Sequence, residues 1–201
     1  MEVPALWIEA LKEVGNIGAG HAATSLSHLL QTRIEMTVPR VRLVPLVRLQ
    51  EALGQLDATK VALYLKVMGE APGKAMFILS IPSAQLIART LLCKGELPDI
   101  FTDQMAQSAL QEVGNIMVSS FVIALTELSG CMLQPSIPAL GIDMIGAMVD
   151  SVLLEEGHLD DSILMIDTIL SGQGDMKEME GTFLYIPAEG SIEKLLGVFG
   201  I

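Results

Sequence analysis

The sequence predicts an α+β fold made by internal duplication, with two halves that each run helix, strands, helix and join in one pseudo-symmetric body. Three observations carry that expectation. Residues 10–17, Ala-Leu-Lys-Glu-Val-Gly-Asn-Ile, recur at 109–116 as Ala-Leu-Gln-Glu-Val-Gly-Asn-Ile, with seven of eight positions identical. The apolar patterns that follow the first copy recur in the same order after the second. No low-complexity tract or flexible linker separates the halves, so they are expected to share an interface and not to hang as tethered beads.

Residues 4–31 carry helical periodicity, and 32–46 alternate like a strand interrupted by Pro39. Lys60–Met68 alternates strongly, Gly69–Gly73 supplies turn residues and Lys74–Ser80 returns, so 60–80 reads as a hairpin. Pro82 opens a helix that runs to about Cys93. After Pro98 the order repeats: a helix over 102–129, an extended proline-punctuated stretch over 131–144, strands near 162–171 and 181–187, and a short helix from Ser191. Ile145–Asp161 reads as a short helix followed by an acidic loop, and Gly172–Gly181 as a mobile hairpin tip. The expected organisation is one domain, 1–201, made of repeats 1–100 and 101–201.

Composition narrows the function class. Apolar residues make up 51% of 201, ample for a core, yet no uninterrupted run has the length needed to cross a bilayer, so a soluble protein without membrane insertion is expected. Met-Glu-Val-Pro at the start has no basic stretch followed by an apolar one, which predicts a cytoplasmic location. Cys93 and Cys131 have no CxxC or histidine-rich neighbourhood, so buried free thiols are expected and not a disulfide framework or a zinc site. A net charge of −12 repels phosphate backbones, which argues against nucleic acid and for basic protein surfaces as partners. Duplication within one chain can replace a homodimer, so a monomer is expected.

Residues advance about 100° each around an α-helix. Glu9, Glu13, Asn16 and Gly20 then share one stripe, while Trp7, Leu11, Val14, Gly18, Ala22, Ser25 and Leu29 share the opposite one. In the second copy Ser108, Glu112, Asn115 and Ser119 form the polar stripe, opposite Ala106, Leu110, Val113, Met117, Phe121, Ala124 and Leu128. An exposed Glu-x-x-Asn needs no function on its own. Solvent-facing positions drift between internal copies, however, and here Lys12 became Gln111 while the Glu and the Asn stayed fixed. Gly15 and Gly114 sit inside helices, where glycine costs about 1 kcal/mol relative to alanine, so something approaches the backbone: a packed neighbour or a docking partner.

These residue types restrict the chemistry. An asparagine amide cannot titrate, but it can donate and accept hydrogen bonds, which suits holding a water in line for attack. The glutamate could serve as a base or pair with a lysine of a protein substrate; nothing within Glu-x-x-Asn points to a raised pKa, which favours the ion pair. One carboxylate with one amide is too few ligands for a dedicated magnesium site, so any metal must come with the substrate. Gly15-Asn-Ile-Gly18-Ala-Gly20 follows no strand and has the wrong spacing for a phosphate loop. His21, His28 and His158 lack a triad's partners and read as solvated or structural, and the scattered methionines read as core filling.

The pattern Asp/Ser-x3-Glu-x2-Asn-x22-Pro resembles the active-site signature of the CheC, CheX and FliY family of phosphatases, which act on the phosphorylated chemotaxis response regulator CheY. The second copy fits throughout, with Ser108, Glu112, Asn115 and Pro138; the first has Glu13, Asn16 and Pro39 but Glu9 at the leading position. The resemblance covers essentially the whole chain, and two sites in one chain match the CheC branch. It implies a tandem α-β(3)-α-β unit with a pseudo-twofold, an antiparallel sheet and strands exchanged between halves. It further implies a hydrolase for the aspartyl phosphate of CheY. In it Asn16 and Asn115 orient water, and Glu13 and Glu112 pair with the receiver's lysine. Glu9 and Ser108 support them, and Pro39 and Pro138 shape the extended segment below. No cofactor is expected on this chain; magnesium is expected on the receiver. CheD is a further expected partner, and the rival reading is a non-catalytic adaptor for CheY phosphate or CheD.

Overall fold

The computed structural model describes residues 5–154 and 158–197. The opening Met1–Pro4 and part of the expected acidic loop, 155–157, lie outside them. The first half runs α1 (Ala5–Leu30), β1 (Glu35–Pro45), a 3-10 turn (Leu46–Arg48), α2 (Leu49–Leu53), β2 (Thr59–Gly69), β3 (Gly73–Ser80) and α3 (Ile81–Leu91). The second runs α4 (Gln104–Ser129), β4 (Leu133–Pro135), β5 (Ala139–Met144), α5 (Ile145–Leu154), β6 (Ser162–Ser171), β7 (Met179–Pro187) and α6 (Ser191–Gly197).

All the strands join one antiparallel sheet in the order β1-β6-β7-β3-β2-β4, with β5 also on β2. The first strand of each half lies against the hairpin of the other half, so the strand exchange is real, and the order is the same from either edge. Phe77 pairs with Phe183 near the middle of the central β3·β7 ladder. The α+β class and the antiparallel sheet match expectation, but the unit differs in detail from α-β(3)-α-β. A short helix stands between the first strand and the hairpin, and α4 follows α3 with no intervening strand.

Alternation along the strands gives the sheet two apolar faces. One face, with Val61, Leu65, Phe77, Leu164, Ile166 and Phe183, packs under α1, α3, α4 and α6; the other, with Ala62, Met76, Ile78, Met165 and Leu184, packs under α2 and α5. The short helix α2 has too few turns for a readable period, which is why the sequence did not announce it. On α1 the buried row is Leu11, Val14, Ala19, Ala22, Leu26 and Leu30. Ser25, placed by sequence on the apolar stripe, is exposed, because the buried face continues in steps of four and Leu26 takes the position.

Helix α4 has an 18-residue stretch of mean hydropathy 1.4, long and apolar enough to cross a membrane by composition, yet 61% of it is buried inside the protein. Phe121 of α4 stacks on Phe183 with centroids 4.7 Å apart, tying the helix to the centre of the sheet. Two expectations are corrected. Cys93 is exposed at the end of α3 with φ of 51°, and Cys131 is half-buried, so the thiols are free but not buried. Met68, Met105, Met132 and Met144 are exposed, so the methionines do more than fill the core.

Candidate active site

Each motif helix is phased by what lies beneath it. The site of an added Cβ on Gly15 is 3.0 Å from Val38 Cγ1, 3.4 Å from Val41 and 3.6 Å from Ile166, so α1 rests directly on β1 and β6. An added Cβ on Gly114 would fall inside the Leu63 side chain of β2. Leu63 is the counterpart of Ile166, since the two pair with Leu140 and Val41 on the exchanged outer strands. Both glycines are therefore explained by close helix-on-sheet packing and not by an approaching partner. Gly18 adds a third close contact, its Cβ position lying 2.6 Å from Phe121 of α4.

With Val14 and Gly15 buried on α1, and Val113 and Gly114 on α4, the Glu and the Asn of each motif lie on the side away from the sheet. Glu9, Glu13, Asn16 and Gly20 are all exposed, as are Ser108 and Glu112, while Asn115 and Ser119 are half-buried. The described residues place no ion pair on Glu13 or Glu112. Each carboxylate is left open to a cation from outside.

Support at the two amides differs. The Ser119 hydroxyl donates to Asn115 Oδ1 at 3.3 Å, whereas the corresponding residue in α1 is Gly20 and the Asn16 side chain makes no hydrogen bond among the described residues. The start of α4 is also fixed. Asp103 accepts hydrogen bonds from Met105 N at 2.9 Å and Ala106 N at 3.2 Å and pairs with Lys94. The Lys94 hydrogen bond, followed by the Ala106 and Met105 amides, holds the Asp103 carboxyl below the usual carboxylate range. Gln107 Nε2 bonds Ile100 O and Phe101 O, which secures the turn before the helix. A groove of about 570 Å³ follows, lined by Phe101, Gln104, Gln107, Ser108, Gln111 and the β5 residues Leu140 and Ile142.

Pro39 and Pro138 hold matching places on the two edges of the sheet. Pro39 is exposed where the β1·β6 register shifts between Thr37 and Arg40, and Pro138 is half-buried in the gap between β4 and β5. Val38, beside Pro39, is the residue that packs under Gly15. Among the described residues no group of three or more His, Cys, Asp or Glu side chains could hold a metal ion. His21, His28 and His158 are exposed. Sequence reasoning placed Ser119 on the polar stripe without a task and missed Asp103 altogether; its place just ahead of the apolar period is the signal that could have found it.

The CheC-like family model matches residues 9–42 and 105–142, two segments that each hold the leading stripe position and run past the proline. Over 195 residues the chain is 32% identical to the CheY-P phosphatase CheC of Bacillus subtilis, covering 96% of this chain and 93% of that one. The chain belongs to the CheC-like family. Its fold is similar to that of Thermotoga maritima FliY, with a TM-score of 0.76 at 21% identity and coverage of 99% and 98%. A more distant likeness of fold is to the CheX-CheY-BeF3-Mg complex of Borrelia burgdorferi, with a TM-score of 0.50 at 19% identity and coverage of 84% and 95%. The family segments include every motif residue named above, in both copies.

Proposed function

We propose that this chain is a cytoplasmic phosphatase that hydrolyses the aspartyl phosphate of CheY, with two sites on one body of repeats 1–100 and 101–201. The observation that carries the reading is the pair of Glu-x-x-Asn motifs on outward faces of two matched helices, in a chain 32% identical to a CheY-P phosphatase over nearly its full length. Asn16 and Asn115 orient the attacking water, an arrangement open to a non-titrating amide. Glu13 and Glu112 pair with the receiver's active-site lysine and set the depth of docking. Water attacks phosphorus, the bond from phosphorus to the aspartyl oxygen breaks, and the products are the free carboxylate and inorganic phosphate. The metal ion and the electrophile both arrive on the receiver, in keeping with a site that offers one carboxylate and one amide.

Ser108 and Glu9 occupy the leading rim of each site. A serine can donate to and accept from a bound receiver, whereas Glu9 can only accept, so the second site is the more complete. Pro39 and Pro138 shape the outer strands beneath the helices and do not touch substrate. The chain acts as a monomer, and the family resemblance adds CheD as a protein partner without assigned residues.

The test is the decay of acyl phosphate on magnesium-loaded, phosphorylated CheY. The wild-type chain shortens the half-life and turns over many receivers, and it leaves a small phosphomonoester intact. Stoichiometric binding without faster decay would instead establish the adaptor reading.

A further inference from the structure

The hydroxyls of α4 do not behave alike. Ser120, Thr126 and Ser129 each donate back to the carbonyl four residues earlier, at 2.7, 3.1 and 2.6 Å, the ordinary local bond for such side chains in a helix. Thr24 on α1 does the same at 2.9 Å. Ser119 does not; its hydroxyl meets the side-chain amide of Asn115. A hydroxyl both donates and accepts, so it can hold either end of the amide and leave the other facing out. The counterpart on α1 is Gly20, where an added Cβ would meet nothing within 4 Å.

We infer that Ser119 is a positioning residue: it holds the Asn115 amide in one orientation, while Asn16, opposite Gly20, turns freely. This deepens the phosphatase reading and rests on it for its kinetic consequence. An amide already ordered loses less rotational freedom when it grips the water, so the second site is the faster one at equal docking.

Asn16 and Asn115 are the chain's two asparagines, so selective ¹⁵N-asparagine labelling of the full chain yields two side-chain NH₂ signals. The order parameter of Asn115 is expected to exceed that of Asn16; Ser119→Ala lowers it to the Asn16 level and Ser119→Thr preserves it. In an Asn16→Ala background, Ser119→Ala lowers kcat about three- to tenfold with KM unchanged, the size expected for freeing one side chain. In an Asn115→Ala background, Gly20→Ser orders Asn16 and raises kcat. Equal order in the two amides, or a Ser119→Ala chain with unaltered Asn115 order and kcat, would overturn the inference. Should Ser119→Ala unfold the helix, the Gly20→Ser arm decides, since it fills open space; no gain in Asn16 order there counts against the proposal. A wild-type chain that fails to speed decay defeats the phosphatase reading alone, and the amide signals still decide whether Ser119 holds Asn115.

Discussion

Beneath Gly15 on α1 lies Val38 of the edge strand, half-buried, with Ile166 a further 0.6 Å away than Val38 is. Beneath Gly114 on α4 lies Leu63, fully buried in β2, while Ile137, the counterpart of Val38, is turned outward and 92% exposed. The Glu and the Asn of the motif are the same on both helices, but α1 sits on the rim of the sheet and α4 is pressed into it, capped by Asp103 and stacked through Phe121. Duplication preserved the Glu and the Asn and let the residues around and beneath them diverge. Shared motif residues with unequal support are what that difference teaches.

The largest expected effect is on the shared chemistry. Replacing both amides, Asn16→Ala with Asn115→Ala, returns acyl-phosphate decay to near the receiver's own rate, a loss of about 10²-fold or more if each amide orients its water. A double variant that retains half the wild-type acceleration would break the match between the two helices.

Next comes the packing contrast. Gly114→Ala drives a methyl into the buried Leu63 side chain and is expected to cost about 1 to 3 kcal/mol, net of the helix propensity gained. Gly15→Ala meets Val38 at 3.0 Å on an edge strand that can yield, and its effect stays within about 1 kcal/mol of zero. Urea midpoints of the two variants check the ranking; equal midpoints would remove the distinction between rim and centre.

The smallest effect is at the cap. Folding lowers the Asp103 pKa through Lys94 and the first amides of α4, so its contribution is complete above the unfolded value near 3.8 and fades as acid carries the pH down through the lower folded value. Asp103→Asn therefore lowers the urea midpoint slightly at pH 7, and the gap to wild type narrows as the pH falls below about 4. A gap that widens in acid would show that the cap works some other way.

Much of this was legible in the sequence because it rests on periodicity. Both long helices, the 60–80 hairpin, the β6 and β7 strands and the outward stripe with Glu13, Asn16 and Glu112 follow from spacing alone. What spacing cannot show is which of two neighbouring turns faces the sheet: Ser25 and Leu26 differ by one residue, and only the crossing of α1 over β1 decides between them. The short helix α2 escaped because five residues hold too little period, and the strand exchange escaped composition because register is a long-range property. The Ser119 to Asn115 bond was hidden for a related reason, since a rotamer and not a spacing makes it.

The claim at the centre is two sites of one chemistry, the second better held. Acyl-phosphate decay on CheY, measured with Asn16→Ala and Asn115→Ala side by side, tests it most directly. The account predicts that each single variant keeps part of the acceleration and that Asn115→Ala loses at least as much as Asn16→Ala. A clearly greater loss from Asn16→Ala would contradict it.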